Sequence, residues 1–273
     1  MLRDITLGQY FPGRSIFHRA DPRAKIILGI LFIVAVFLAD STLSYAFLLV
    51  FTGVMIAVSR IPFKTVLRSL RALIFIIIFT SVINVFWTRG EHLIFEWKFI
   101  HIYREGIAFA VYMVIRITCL LCGTSVILSY TTSPIALTDG LEQLLAPLKK
   151  IKLPVHEFSM MMTIALRFIP TLIEETDKIM NAQKARGADL SSGGLIKRAK
   201  ALIPVLIPLF VSAFRRADDL AVAMECRCYH GGQGRTRMNK LRFGASDLIL
   251  ALIFIAFTAG VVLLNKIPFD VFN

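Results

Sequence analysis

Five apolar runs constrain the fold of this chain more than any other feature. They are Ile26–Ala39, Leu43–Val58, Ala72–Trp87, Gly106–Leu128 and Asp247–Leu264. A helix of about 20 apolar residues crosses the hydrocarbon core of a bilayer. With 56% hydrophobic residues and a mean hydropathy of +0.71, the chain is too apolar for a soluble domain. The sequence therefore predicts an all-α integral membrane protein with about five transmembrane helices.

The connections between these runs are short. The first two runs are slightly too short for a full crossing, and a break of three polar residues, 40–42, separates them. We interpret them as a tight hairpin of two short helices, to which the bilayer adapts by thinning. Apolar residues alternate between Thr88 and Arg104, which indicates a short β-hairpin or an interfacial segment after the third run.

The distribution of positive charge predicts how the spans are oriented. The chain has 31 Lys and Arg against 18 Asp and Glu, a net charge of +13. The N-terminus, the loop after the second run and the segment before the fifth run are basic, whereas the other loops are not. Cytoplasmic loops carry an excess of Lys and Arg. We therefore expect five crossings of the cell membrane, with the N-terminus in the cytoplasm and the C-terminus outside.

A long basic segment separates the fourth run from the fifth. The predicted domains are accordingly an N-terminal membrane domain (1–130), a cytoplasmic domain of long helices (131–243) and a C-terminal transmembrane helix (244–273). Residues 141–242 contain 17 Lys and Arg and nine Asp and Glu. Because these charges alternate with apolar stripes, the segment suits protein–protein packing better than nucleic-acid binding, although a membrane-anchored basic protein that binds anionic lipid remains an alternative.

Two amphipathic helical patterns fill this segment, over 156–186 and 195–227, after a shorter helix near 134–150. Their apolar residues recur mostly at spacings of three and four. Pro170 is expected to kink or split the first pattern, and two prolines at 204 and 208 to break or kink the second. Gly187 is expected to cap the first helix at its C-terminal end.

Catalytic and metal-binding motifs are missing from the sequence. There is no P-loop, zinc-protease motif or nucleophile elbow, so we expect neither an enzyme nor a bound cofactor. The spacing of the four cysteines does not match a structural zinc site, so no metal is expected. Two intramembrane polar residues, Asn84 and Arg116, are functional candidates by position, and Arg116 also suits a packing contact between helices.

The two amphipathic patterns carry features that suit a partner. Met161, Met162, Ile173, Phe210 and Phe214 form apolar faces that serve either internal packing or an adaptable binding surface. Each pattern also closes on an arginine, in Ala185-Arg186-Gly187 and in Cys226-Arg227-Cys228. A single such arginine is a common solvated helix cap. Two of them, ending consecutive helices, favour docking, since the guanidinium binds carboxylates with two parallel hydrogen bonds.

Three stretches resemble the transmembrane coupling subunits (EcfT) of energy-coupling factor vitamin transporters, which are related to the membrane subunits of cobalt and biotin uptake systems. The first is the Asp-Pro-Arg-x-Lys stretch at 21–25, in which Asp21 suits the N-cap of a helix and Pro22 its first turn. The second runs from Leu166 to Gly187. The third runs from Arg216 to Cys228, where cysteines flank Arg227 in place of the family's usual Ala and Gly.

The resemblance implies the function and the partners of the chain. In that family, the two arginine motifs contact two cytoplasmic ABC-type ATPase subunits, and a separate substrate-binding membrane subunit packs on the coupling helices. The chain itself would then bind neither ATP nor the vitamin. The resemblance also leaves open a permease subunit of a cobalt or nickel importer.

Overall fold

The computed structural model describes residues 10–13, 15–88, 92–97, 100–151, 153–188, 194–231, 241 and 243–267. Its elements, in chain order, are α1 (Ile16–Arg19), α2 (Pro22–Leu38), α3 (Thr42–Ser59), α4 (Phe63–Trp87), β1 (Leu93–Trp97), β2 (Ile100–Tyr103), α5 (Arg104–Thr124), a π-helical segment (Ser125–Tyr130), α6 (Pro134–Leu144), a 3₁₀ helix (Ala146–Ile151), α7 (Val155–Ala185), α8 (Leu195–Cys226) and α9 (Ala245–Asn265). The all-α membrane fold is confirmed, with one small β-hairpin added.

The apolar runs all form helices. Within the described residues, three helices are long and apolar enough to cross a membrane, namely α3, α5 with its π-helical segment, and α9. Helix α4 is a fourth if its two halves, bent by 59° between Arg71 and Leu73, form one span. Helix α2 has 17 residues, a length of about 25 Å at 1.5 Å per residue, so its crossing stays a prediction.

Helix α2 starts where the sequence predicts. Asp21 is its N-cap and accepts a hydrogen bond from the Arg23 N–H at 2.9 Å, and Pro22 follows in the first turn. Proline is tolerated there because the first N–H groups of a helix have no partner within the helix. This N-cap prediction is confirmed.

Helices α2 and α9 lie side by side and run in the same direction. At their N-terminal ends, the Asp21 N–H donates to Asp247 Oδ1 at 2.7 Å. At their C-terminal ends, the Asn265 amide donates to the Leu38 carbonyl and accepts from the Asp40 N–H. A parallel pair agrees with the predicted topology, in which the first and fifth spans cross the membrane in the same sense.

Aromatic packing forms the centre of the membrane helices. Phe51 of α3 stacks on Phe257 of α9 with ring centroids 3.8 Å apart, and Phe32 of α2 is fully buried beside them. Gly123 of α5 faces the ring of Phe32, where an added Cβ would lie only 2.2 Å from Cε1. Residue 123 must therefore be glycine for α5 to approach α2 this closely.

The segment between α4 and α5 forms the hairpin that is one of the two predicted alternatives. The β-hairpin prediction is confirmed, since β1 and β2 pair antiparallel with Phe95 opposite Ile102 and Trp97 opposite Ile100. Residues 98 and 99 lie outside the described residues. Helix α4 packs closely on α5, where a Cβ on Gly106 would meet the Val85 carbonyl oxygen at 3.2 Å.

Both long helices are continuous through their prolines. Pro170 lies inside α7, and Pro204 and Pro208 lie inside α8, without an interruption of helical structure. Of the two alternatives expected at each proline, the split or break is therefore wrong, and the kink stays a prediction. Proline removes one hydrogen bond and leaves one carbonyl without its usual donor, which a long helix that packs on another can tolerate.

The described residues pack into two compact units. Residues 144–231 form the first, called here the α7–α8 unit. Residues 10–143 and 241–267 form the second, called here the membrane unit. Most of α6 thus belongs to the membrane unit, where Gly140 approaches Pro22 so closely that an added Cβ would lie 2.9 Å from the proline Cβ.

Candidate docking site

Helix α7 ends in a Schellman motif built around Arg186. The Ala188 N–H donates to the Gln183 carbonyl at 3.0 Å, and the Gly187 N–H donates to the Lys184 carbonyl at 3.0 Å. Arg186 is the C-cap residue, and Gly187 has a φ of +83°. Glycine adopts this left-handed conformation without steric cost, which explains why the helix ends here. The predicted cap at Gly187 is confirmed.

Helix α8 ends with the same hydrogen-bond pattern. The Tyr229 N–H donates to the Met224 carbonyl at 3.1 Å, and the Cys228 N–H donates to the Glu225 carbonyl at 2.8 Å. Arg227 is the C-cap residue, and Cys228 has a φ of +55° at the position that corresponds to Gly187. The two arginines therefore occupy equivalent positions in two equivalent helix ends, even though the flanking residues differ.

Both arginine side chains are exposed. A cation at the C-terminal end of a helix interacts favourably with the negative end of the helix dipole and with its last carbonyl groups. An exposed guanidinium held there offers two parallel N–H donors to a carboxylate of another protein. Cys226 and Cys228, which flank Arg227, are exposed free thiols.

Three contacts along α7 and α8 show that the helices are antiparallel. Glu175 forms a salt bridge with Arg216 at 2.9 Å and accepts a hydrogen bond from Ser212. Further along, the Gln183 side-chain amide donates to the Pro204 carbonyl at 3.3 Å. As residue numbers rise on α7, the contacted numbers on α8 fall. Hydrogen bonding from Ser212, with the adjacent Arg216 charge, lowers the pKa of the Glu175 carboxyl.

The antiparallel arrangement sends the two arginine ends to opposite ends of the pair. Gln183 contacts Pro204 of α8, and Arg186 lies three residues further along α7. Arg227 lies at the far end of α8, about 35 Å from Pro204 at 1.5 Å per residue. The α7–α8 unit therefore presents two similar exposed helix ends, separated by roughly the width of a small protein domain.

The contact of Gln183 with Pro204 has a local cause. In an α-helix the N–H of residue 208 would donate to the carbonyl of residue 204, but Pro208 has no N–H. The Pro204 carbonyl is thereby available, and the Gln183 amide of the neighbouring helix donates to it. Pro208, which was expected to break or kink α8, thus leaves the Pro204 carbonyl available as an acceptor that ties α8 to α7.

The predicted apolar faces are largely uncovered. Phe210 and Phe214 are 61% and 68% exposed, and Met161 and Met162 are exposed as well, whereas Ile173 is half-buried. A shallow groove of about 520 Å³ runs along α8, lined by Ile207, Phe210, Val211, Phe214, Arg215 and Asp218. Its apolar residues recur at spacings of three and four, so they form one stripe of the helix.

The two intramembrane polar residues lie in the membrane unit and make local contacts. The Arg116 guanidinium donates to the Ala39 carbonyl at 2.9 Å and to the Tyr45 hydroxyl, and it lies over the Tyr45 ring. Arg116 thus ties α5 to the turn between α2 and α3. The Asn84 amide donates to the Thr80 carbonyl of its own helix at 2.8 Å.

Sequence reasoning missed a buried polar cluster around the Asp-Pro-Arg-x-Lys stretch. Lys25 is 2% exposed, and Asp21 and Asp247 are also buried. The available signal was a lysine and an aspartate placed at the beginnings of two apolar runs, which are positions where charged residues are usually solvated. Only the fold shows that these two helix starts are neighbours.

Comparison with known proteins decides the family. The CbiQ family, described as cobalt transport protein, matches residues 13–238. The energy-coupling factor transporter transmembrane protein EcfT of Ruminiclostridium cellulolyticum is 54% identical over 269 residues, covering 98% of this chain and all of the relative. The chain belongs to the EcfT proteins of the CbiQ family. The EcfT proteins of Acidaminococcus fermentans and Bacillus subtilis are 55% and 47% identical, covering 94% of this chain and 95% and 97% of their own lengths.

Family membership establishes the general role of the chain. It is a membrane protein and a transmembrane component of an energy-coupling factor transporter, not an enzyme. The resemblance found in the three short sequence stretches is thereby confirmed over nearly the whole length. Within the described residues, no group of three or more His, Cys, Asp or Glu side chains is arranged to hold a metal ion.

Proposed function

We propose that this chain couples ATP hydrolysis in two cytoplasmic ABC-type ATPase subunits to a separate substrate-binding membrane subunit. The observation that carries the proposal is the pair of matched helix ends, each with an exposed arginine at the same position of a Schellman motif. Two equivalent ends suit two equivalent partners. Their separation along the helix axes, about 39 Å at 1.5 Å per residue, leaves room for each ATPase subunit to contact one end.

The recognition chemistry at each end is an arginine–carboxylate pair. The Schellman motif fixes the backbone at each arginine, so the exposed guanidinium is presented from a defined position at the helix end. A bidentate pair also demands a particular geometry, which suits a contact that must transmit force without slipping. Ala185 and Gly187, and likewise Cys226 and Cys228, would lie at the rim of each contact.

The exposed stripe of α8 supports the second contact of the proposal. A stripe with Phe210 and Phe214 more than half exposed is unusual for a surface that faces only water. Met161 and Met162 on α7 add flexible apolar side chains, which adapt to partners of different shape. This surface would bind the membrane subunit that carries the substrate, and the transported class would be a vitamin or another micronutrient.

The experiment is affinity purification of the complex from native membranes. The double variant Arg186→Glu with Arg227→Glu should lose both ATPase subunits, because each new carboxylate repels the acidic partner group. Arg186→Lys with Arg227→Lys keeps the charge but loses the planar fork, so it should retain the subunits with weaker binding. Lys64→Glu, an exposed charge change in the first turn of α4, should leave the complex intact.

The purification can also contradict the proposal. If the Glu double variant inserts into the membrane and still retains both ATPase subunits, the docking role of the arginines is wrong. The same purification distinguishes a vitamin transporter from a cobalt or nickel importer, and the second is favoured by the name of the CbiQ family, cobalt transport protein. Co-purification of a vitamin-binding subunit supports the first, and of a metal-transport subunit the second.

The proposal requires a cytoplasmic N-terminus and a cytoplasmic α7–α8 unit. The native cysteines test the location of the α7–α8 unit, because Cys226 and Cys228 are exposed whereas Cys119 and Cys122 are buried in the membrane unit. A membrane-impermeant maleimide should label the chain in inverted vesicles and not in intact cells. Labelling in intact cells would show that the α7–α8 unit lies outside the cytoplasm.

A further inference from the structure

The Asp-Pro-Arg-x-Lys stretch contacts both ends of the path by which the chain leaves the membrane unit and returns to it. The chain leaves this unit after residue 143 and re-enters it at 241. We propose that Asp21, Arg23 and Lys25 form a clamp that holds both junctions to the first turn of α2, and that this clamp is needed to convert ATP hydrolysis into substrate movement. The inference rests on the proposed coupling function.

Lys25 holds the segment that leads into α6, from which the chain leaves the membrane unit after residue 143. Its Nζ donates to the Thr131 carbonyl at 2.8 Å and lies 3.1 Å from the Thr132 hydroxyl, directly after the π-helical segment ends. All three residues are buried. The next helix, α6, packs on the same turn of α2 through Gly140 and Pro22, with no space for a side chain between them. The departing chain is thus held at two successive points.

The returning junction is held by Asp21 and Arg23. The Arg23 Nη2 donates to the Leu241 carbonyl at 3.1 Å, and its guanidinium lies over the Phe243 ring at 5.2 Å from the centroid. The Asp21 N–H donates to Asp247 Oδ1 at 2.7 Å. The other oxygen of Asp247 accepts from the Gly244 N–H at 2.7 Å, which fixes the start of α9.

The burial of Lys25, Asp21 and Asp247 makes the clamp stiff. A buried lysine and buried carboxylates are costly unless they keep their partners, so the surrounding structure has few alternative arrangements of similar free energy. Within the part of the chain that the structure describes, a displacement of α7 and α8 reaches the membrane unit along the chain through these two junctions. With both fixed to one turn of α2, the displacement moves α2 and α9 together and is not absorbed by a loose connection.

The test compares this clamp with a second tie between the same two helices. Asn265 joins α2 and α9 at their opposite ends, through the Leu38 carbonyl and the Asp40 N–H. Lys25→Met keeps the length of the side chain and removes its donor, and Arg23→Gln weakens the returning junction. Asn265→Ala is the matched control, since it loosens the same helix pair away from the junctions.

Each variant is purified as the full complex and reconstituted into proteoliposomes, where substrate uptake and ATP hydrolysis are measured together. Lys25→Met and Arg23→Gln should lower uptake per ATP hydrolysed by about fivefold or more, while the ATPase subunits stay bound and active. Asn265→Ala should lower the thermal stability of the complex without changing that ratio. Lys25→Arg, which keeps a donor, should restore part of the ratio.

The outcomes separate the clamp from the proposed function. A wild-type complex without ATPase subunits, or without ATP-dependent uptake, contradicts the proposed function. A wild-type complex that transports, with unchanged uptake per ATP in Arg23→Gln and Lys25→Met, overturns the clamp. An equal fall of the ratio in Asn265→Ala also overturns it, because the effect would then be general loosening. If Lys25→Met does not assemble, Arg23→Gln alone decides.

Discussion

The left-handed conformation of Cys228 gives a prediction about helix stability. A side chain in this region costs about 1–2 kcal/mol in steric strain, which glycine does not have. Glycine in turn loses more backbone entropy on ordering, which offsets about 0.5–1 kcal/mol. With a φ of +55° at Cys228, the variant Cys228→Gly should therefore stabilise the end of α8 by about 0.5–1 kcal/mol.

Hydrogen exchange measures this change where it occurs. The Schellman motif protects the N–H groups of Cys228 and Tyr229. Stabilisation of about 0.5–1 kcal/mol should slow exchange in a peptide covering this end by about twofold to fivefold, because exchange requires local opening. Gly187→Ala, at the matched position of α7, should speed exchange of its end by a similar factor. Cys226→Ala, within the helix, controls for the loss of a thiol.

Two results would refute this reasoning. If Cys228→Gly leaves exchange unchanged or accelerates it, the residue is not strained as its φ indicates. If Gly187→Ala has no effect, the left-handed cap does not determine stability at either end, and the equivalence of the two ends loses its physical basis.

Two further predictions concern packing. Gly123→Ala should destabilise the protein by about 1–3 kcal/mol, because its Cβ would overlap Phe32. The control Gly53→Ala should have little effect, since nothing lies within 4 Å of the added Cβ. Thermal unfolding in detergent compares the two variants, and equal midpoints would contradict the close packing at Gly123. Gln183→Ala should loosen the contact with Pro204 by about 0.5–1 kcal/mol, seen as faster hydrogen exchange in the first half of α8, and unchanged exchange would show that water replaces the amide.

The sequence predicted most of the helices because their signals are local. Apolar runs and periodic stripes require no knowledge of distant residues, and the cap at Gly187 follows from one residue type. The expected interruption at the prolines did not occur, because the local tendency of proline to end a helix was overridden by packing. Pro208 is accommodated by the Gln183 amide, which is 25 positions earlier in the chain and visible only when α7 and α8 lie together.

The tertiary parts of the site could not be predicted in the same way. Arg186 and Arg227 were found from sequence, but the equivalence of their surroundings depends on the φ of Cys228, a residue type that rarely adopts such a conformation. The contact between Asp21 and Asp247 joins residues 226 positions apart. No periodicity or motif within a single sequence connects them, so the clamp appears only in the folded chain.

Cross-linking from the native cysteines shows whether the two arginine ends contact the ATPase subunits. A short benzophenone-maleimide attached to Cys226 or Cys228 lies beside Arg227, and Ala185→Cys in a background without these two thiols places the same probe beside Arg186. Illumination of the assembled transporter should join the chain to an ATPase subunit from each end, identified by mass spectrometry. Cross-links only to lipid or to the chain itself, from both ends, would show that neither arginine end docks an ATPase subunit.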